Sequence, residues 1–374
     1  MKVLTIGGAT QDIFIHYNGT DIMSITKKNF HSNYMLFGSG EKIEVEGVTY
    51  ETGGGATNSA VSFKRLGMTT SCFCNIGNDA AGQTIIDKLT EENINTELII
   101  QNAKYRTGTS FIVNSIEGDY TIFAYRGSNS YLELDKLPFD AIKECDQLYI
   151  TSLSNDSAQI LPSIVSFAKK HNVPVAINPG SSQLEKGTQK LKESLQFIDI
   201  LILNKHEAQI FMFALMQNDK YYKDVFECTG PNQICRSSEI QDDQAYLLSA
   251  PISYENTYFS LRNFFKATLD MGPKIVVVTN GANGVYAANK DAILFHPSMK
   301  VKITNSVGAG DSFGSCFVAS LMHKNDIQTA LKHGIVNSSS VLEYVGAKTG
   351  LLTYDQLLQK SNVVNSELLK SFNF

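Results

Sequence analysis

The stretch Ile200-Leu201-Ile202-Leu203-Asn204-Lys205-His206-Glu207 reads as a strand that runs straight into a helix. Four consecutive apolar residues leave no polar face, which suits a strand covered on both sides, as in a parallel sheet. Asn204 is then in place to cap the following helix, with Glu207 as its N3 carboxylate. The same alternation recurs along the chain. Residues 3–6, 71–76, 148–151, 173–177 and 275–279 are predicted as further strands, with helix-length amphipathic segments between them. Residues 56–66 end at Gly67, a helix stop signal; residues 156–171 open on a candidate cap, Asp156; Ser194 and Asp326 lie near further helix starts. The pattern predicts an α/β fold, a doubly wound and mostly parallel sheet with helices on both faces.

Two regions depart from it. Residues 109–125 alternate apolar and polar side chains around Glu117-Gly118-Asp119, which reads as an antiparallel hairpin with a Gly-containing turn. With the β-prone residues 42–50 it would form a small sheet outside the main one, a natural lid. Residues 218–256, rich in Asp, Gln, Ser and Tyr, match no regular element and read as an insertion. The expectation is one domain over 1–374, with lid strands from about 13–50 and 107–127.

With 374 residues, 43% hydrophobic and 18% charged, the chain can bury a sizeable core and should fold throughout. Its net charge is −5 and it has no Lys/Arg-rich run, so nucleic acid and membrane are not expected partners. The opening residues 1–8 are too short in their apolar part for a signal peptide or a membrane span, and a cytoplasmic location is expected. Six cysteines are too few for a disulfide scaffold. Cys72 and Cys74 read as buried, whereas Cys228 and Cys235, in a polar setting, lack the partners of a zinc site.

Chemistry concentrates in four places. In Thr304-Asn305-Ser306-Val307-Gly308-Ala309-Gly310-Asp311-Ser312-Phe313, small residues open a helix. The free N–H groups of a first helical turn make an anion site, and Asp311 would stand beside it as a base for an attacking hydroxyl. A Gly-rich turn with a capping Asp explains the same residues. Thr52-Gly53-Gly54-Gly55-Ala56-Thr57-Asn58 is a second Gly run opening a helix, and the Asn58 amide both donates and accepts, as polyol hydroxyls require. It is neither a dinucleotide fingerprint nor a P-loop. Asp12 follows the first strand, at the edge where open α/β sheets bind ligands. Asn204 and Glu207 offer oxygens on one helix face, suited to Mg²⁺ acting through water, or simply to capping. Ile210 stands where a zinc-protease helix needs its second His. Residues 276–285 join two strands through a turn over which a nucleotide could lie, or make a plain hairpin.

Taken in order, Asp12, Gly53-Gly54 through Asn58, Gly77-Asn78-Asp79 with Gly82, Arg106-Thr107-Gly108, Asn204 with Glu207, Thr279-Asn280-Gly281 and Gly308 through Asp311 resemble the ribokinase-like (PfkB) family of carbohydrate and nucleoside kinases. The resemblance spans most of the chain and implies an ATP-dependent kinase with a small β lid. It implies that Asp12, Gly53, Gly54 and Asn58 hold substrate hydroxyls, that Gly308, Ala309 and Gly310 form the anion hole and that Asp311 is the base. It further implies that Asn204 and Glu207 support Mg²⁺ on ATP, and that Thr279, Gly281 and Asn337 line the nucleotide cleft. Dimerisation through the lid is implied in the same way. Asn305 stands where the family usually has Asp, at a position tied to a monovalent-cation site, so K⁺ activation is left open. The segments 12–53 and 204–279 are longer than usual for the family.

A sugar is the expected acceptor, because Asp12 and Asn58 suit a polyol. A nucleoside is the alternative, discriminated by whether lid residues such as Phe111, Phe123 or Tyr125 enclose a base. A non-catalytic binding protein on the same fold is a third reading, against which Asp311 argues.

Overall fold

Nine strands form the central sheet of the computed structural model, which describes the whole chain except residues 18, 20, 28–29, 115–119, 227–244, 256 and 365–367. Their order is Lys370–Phe372, Ile293–His296, Val285–Ala288, Ile275–Thr279, Ile200–Asn204, Val175–Ile177, Gln147–Ile150, Lys2–Ile6 and Thr69–Phe73. From Ile275–Thr279 to Thr69–Phe73 every pairing is parallel, and the three pairings beyond Ile275–Thr279 are antiparallel.

Side chains of the central strands divide between two cores. Leu4, Ile6, Leu201, Leu203, Val276 and Val278 pack on one face against Ile164 of the helix Leu161–Lys170, Phe211 of Lys205–Asn218 and Phe264 of Leu261–Asp270. Val3, Tyr149, Ile200, Ile202 and Val277 pack on the other, against Phe313 and Phe317 of Ala309–Met322 and Val336 of Ile327–Leu342. Strands covered on both faces need apolar residues at every position, which is why residues 200–203 carry no polar residue.

The small sheet outside this layer runs Tyr120–Tyr125, Gly108–Asn114, Thr10–His16, Gly47–Gly53. Residues 109–125 pair antiparallel as expected, although the turn residues Glu117, Gly118 and Asp119 lie outside the described residues. Thr10–His16 pairs parallel with Gly108–Asn114 and antiparallel with Gly47–Gly53, and so carries Asp12 into this sheet. Asp12, Ser110 and Ala124 share one row, while Ile13, Tyr50, Phe111 and Phe123 share the next. Successive rows point to opposite faces. The hairpin Asp21–Lys27 with Phe30–Leu36 forms a separate two-stranded sheet.

Four local expectations are corrected. The predicted strand 71–76 is two: Thr69–Phe73 stays in the central sheet, and Asn75–Gly77 pairs with Ile100–Asn102. The predicted helix 156–171 begins as a 3₁₀ segment, Asn155–Ile160, and becomes α-helical only at Leu161, where Pro162 fits the first turn because the N–H it lacks has no helical partner there. Ser194 ends the helix Thr188–Ser194 and only a 3₁₀ turn follows, whereas Asp326 caps Ile327–Leu342 as expected. Within 218–256, where no regular element was expected, lie the helix Lys220–Phe226, the 3₁₀ turn Tyr246–Leu248 and the strand Ile252–Tyr254, paired with Thr257–Phe259. Cys228 and Cys235 lie outside the described residues, and Cys72 and Cys74 are buried free thiols. Among the described residues no helix is long and apolar enough to cross a membrane.

Candidate active site

Gly308 is the left-handed residue, φ 83°, that turns the chain into the helix Ala309–Met322. A Cβ there would lie 2.3 Å from the Ala347 side chain, so space as well as conformation requires glycine. A Cβ on Gly310 would meet nothing within 4 Å among the described residues, so this turn opens toward space. Asp311 follows in the first helical turn, where backbone N–H groups lack helical acceptors.

Burial pushes the Asp311 carboxyl above the ordinary carboxylate range; the Asn58 amide and the Lys348 ammonium oppose this, and the negative charge of Asp12 adds to it. The Asn58 Nδ2 donates to Asp311 Oδ2 at 2.8 Å. Asn58 lies on the helix Gly55–Arg65, opened by Gly54 at φ 93°. A Cβ on Gly54 would meet the Gly8 carbonyl at 2.5 Å, and one on Gly53 would meet Asp12 Oδ2 at 1.9 Å. Gly54 therefore lets the backbone come close to the first strand's exit, and Gly53 leaves room for the Asp12 carboxylate. Asp12 is buried, accepts from Thr10 Oγ1 at 2.8 Å, and is also raised by burial, with Thr10 and Lys348 lowering it.

Asn204 and Glu207 cap the helix Lys205–Asn218 reciprocally. The Glu207 N–H donates to Asn204 Oδ1 and the Asn204 N–H to Glu207 Oε2, each at 2.8 Å. Burial pushes the Glu207 carboxyl up to about 7, against the Asn204 N–H and the Asn178 amide, which lower it. A cleft of about 190 Å³ brings Asn204, Glu207, Thr279, Gly308, Gly310 and Asp311 together, with Asn178, Ser306 and Tyr120 also in its wall. It lies at the carboxyl ends of Val175–Ile177, Ile200–Asn204 and Ile275–Thr279, the edge where open α/β sheets bind ligands. A larger depression, about 870 Å³ around Phe139 and Phe167, has a mainly apolar surface with Asp135, Ser163, Ser166 and Lys170 in its wall, and shares no lining residue with the cleft.

Gly281 opens the 3₁₀ turn Gly281–Asn283 at φ 53°, beyond the lining residues of this cleft. Asn337 departs from the expectation that it lines the nucleotide cleft. It is fully buried, donates to the Ser312 carbonyl and accepts from the Leu352 N–H, both at 3.0 Å, so its amide ties helix to helix and loop. Asn305 is buried too, and its Oδ1 accepts from the Val307 N–H at 2.7 Å. Asp79 caps the helix Ala80–Glu91 through the Gly82 N–H at 2.9 Å and takes the Thr107 hydroxyl at 2.6 Å.

Three residues at the site were missed by sequence reasoning. Asn178 directly follows a buried strand and precedes Pro179-Gly180, a signal that was available. Tyr120 lies at the end of a strand with every residue exposed, and its row belongs to the Asp12 face of the small sheet. Lys348, whose Nζ donates to Asn58 Oδ1 at 2.7 Å and to the Thr52 carbonyl, sits in a loop with no pattern to mark it.

A family model described as pfkB family carbohydrate kinase matches residues 20–227 and 252–353. A ribokinase of Staphylococcus aureus is 26% identical over 86% of this chain and 91% of its own length, and a deoxyribokinase of Salmonella typhi is 22% identical over 85% and 90%. The structure of Arabidopsis thaliana ribokinase complexed with ribose and ATP superposes with TM-score 0.71 at 17% identity, covering 97% of this chain and 99% of that one. The nucleoside kinase of Methanocaldococcus jannaschii does so with TM-score 0.67 at 18% identity, covering 96% and 98%. These likenesses show the ribokinase-like fold. The chain belongs to the pfkB carbohydrate kinase family, phosphotransferases that act on a hydroxyl group.

Proposed function

We propose that the protein transfers the γ-phosphoryl group of ATP to a sugar hydroxyl, as a ribokinase- or fructokinase-like carbohydrate kinase. The observation that carries this is Asp311, in the first turn of a Gly-opened helix, with one carboxylate oxygen engaged by Asn58 and a cleft bearing Asn204, Glu207 and Thr279 in front of it. Asp311 takes the proton of the acceptor hydroxyl as its oxygen attacks the γ-phosphorus and ADP leaves. Backbone N–H groups of the Gly308, Ala309 and Gly310 turn stabilise the charge on the transferring group. Asp12 and Asn58 bind acceptor hydroxyls, Gly53 and Gly54 allow the close approach, and Thr279 with Gly281 receives the nucleotide.

Among the described residues no three His, Cys, Asp or Glu side chains gather into a metal cage. Two oxygen-bearing residues at the cleft fit Mg²⁺, which keeps several waters and is commonly held through substrate phosphates. Asn204 and Glu207 would hold its water ligands, and the ion supplies charge neutralisation on the phosphate oxygens when bound. The Thr10–His16, Gly47–Gly53, Gly108–Asn114 and Tyr120–Tyr125 strands act as a lid that excludes water from the transferring group. We propose the cytoplasm as the site of action, and a single catalytic unit over 1–374.

A nucleoside acceptor is the second reading, favoured by Tyr120 in the cleft wall. Against it, Phe111 and Phe123 stand in a row facing away from Asp12, and Tyr125 is likewise exposed.

The test is ADP release with ATP and Mg²⁺ against pentoses, hexoses, sugar phosphates and nucleosides, with and without K⁺. Asp311→Asn should lower turnover by about 10²- to 10⁴-fold while ATP still binds. Unchanged turnover in that variant would overturn the assignment of the base.

A further inference from the structure

The loop after the helix Ile327–Leu342 carries none of the motifs, yet it touches both halves of the site. Ala347 fills the space beside Gly308, and Lys348 Nζ donates to Asn58 Oδ1 at 2.7 Å and to the Thr52 carbonyl. The loop is pinned from behind. Arg65 Nη1 donates to the carbonyls of Lys348 and Leu351, both at 3.0 Å, while its Nε donates to Glu92 at 3.1 Å. Asn58 and Arg65 lie on one helix about two turns apart, so one rigid element fixes both the loop backbone and the acceptor of its ammonium.

An ammonium only donates, and a primary amide has one accepting oxygen and one donating NH₂. With its oxygen held by Lys348, Asn58 must turn its NH₂ toward Asp311 Oδ2, where it lies at 2.8 Å. The flipped amide would set oxygen against carboxylate and NH₂ against ammonium. The other oxygen, Oδ1, borders the start of the helix Gly55–Arg65, since a Cβ on Gly55 would lie 3.2 Å from it, and Asp311 itself lines the cleft. We infer that Lys348 is a positioning residue for phosphoryl transfer: it orients the Asn58 amide, which occupies Asp311 Oδ2 and leaves Oδ1 to take the hydroxyl proton. The inference rests on Asp311 being the base.

Charged and titratable groups face the ammonium from four elements. They are Asp12 on Thr10–His16, Glu51 on Gly47–Gly53, Cys72 on Thr69–Phe73 with Cys74 just beyond it, and Asp311 on Ala309–Met322. Burial pulls the ammonium down to about 8, against the pull of Asp12, Asp311, Cys72 and Glu51, in that order. It is therefore charged at neutral pH and sheds its proton within the range where a kinase is readily assayed.

The experiment is steady-state ADP release with D-ribose, or with the best acceptor of the panel, in Lys348→Met and in the same change on an Asn58→Leu background. Lys348→Met should lower kcat about 10- to 100-fold, the scale of a charged hydrogen bond, and leave KM for ATP within about threefold, while KM for the acceptor rises because Asn58 also holds one of its hydroxyls. On Asn58→Leu it should cost less than about threefold more, because the group it works through is gone. The alkaline limb near pH 8 should vanish in Lys348→Met. Lys348→Gln, which keeps a donor, should recover part of the loss, and it carries the test if the Met variant does not fold. Equal losses on both backgrounds, or a rise in acceptor KM with kcat intact, would overturn the inference. Full turnover by Asp311→Asn would instead sink the base assignment beneath it.

Discussion

Asn58 Nδ2 lies 2.8 Å from Asp311 Oδ2, although the two residues are 253 positions apart in the chain. A Gly-opened helix from each end of the sequence thus delivers one partner, and the central sheet holds the two helices side by side. A donor to a carboxylate favours its ionised form, so removing it raises the carboxyl further. Asn58→Leu is expected to shift the acidic limb of the kcat/KM profile to higher pH and to lower turnover about tenfold or more at neutral pH. An unshifted acidic limb would show that this bond does not govern the base.

Gly308→Ala meets two obstacles, the positive φ and the Ala347 side chain 2.3 Å from the new Cβ. The variant should be destabilised by about 1–3 kcal/mol and should lose most turnover, because the helix start that offers its N–H groups moves. Thermal melting and ADP release measured together check this.

Glu207→Gln keeps an acceptor for the Asn204 N–H and so keeps most of the helix cap. Its expected signature is a raised Mg²⁺ requirement at little cost in stability. A Mg²⁺ titration at saturating ATP that matches the unaltered protein would count against a metal role for this carboxylate.

Asn337→Leu leaves the Leu352 N–H without its acceptor inside the protein. The loss is expected in stability, about 1–3 kcal/mol by denaturant titration, with KM for ATP unchanged in the folded fraction. A selective rise in that KM would restore Asn337 to the nucleotide cleft.

The outer face of the small sheet exposes Tyr50, Phe111 and Phe123, with 65%, 41% and 54% of their surfaces accessible. A homodimer formed through this face would cover them. Phe123→Lys is expected to shift sedimentation toward the monomer, and a monomer at all concentrations in the unaltered protein removes the proposal.

The amino-acid sequence determined the layered architecture, because buried parallel strands demand continuous apolar runs such as residues 200–203, and helices announce themselves by caps such as Asn204 and Asp326. It also marked Gly53, Gly54 and Gly308, where a Cβ would clash or the backbone φ is positive. What only the tertiary structure decided is which polar side chains meet. Asn337 and Asn58 are the same residue type on neighbouring helices, yet one satisfies a buried loop amide and the other faces a carboxylate. Lys348 was invisible because its role comes from partners at positions 52 and 58, nearly 300 residues away, and no local period records a contact of that kind. The break at Cys74 was hidden for a related reason: apolar strand residues look alike whichever sheet they join, and only pairing with Ile100–Asn102 sends this segment out of the central layer.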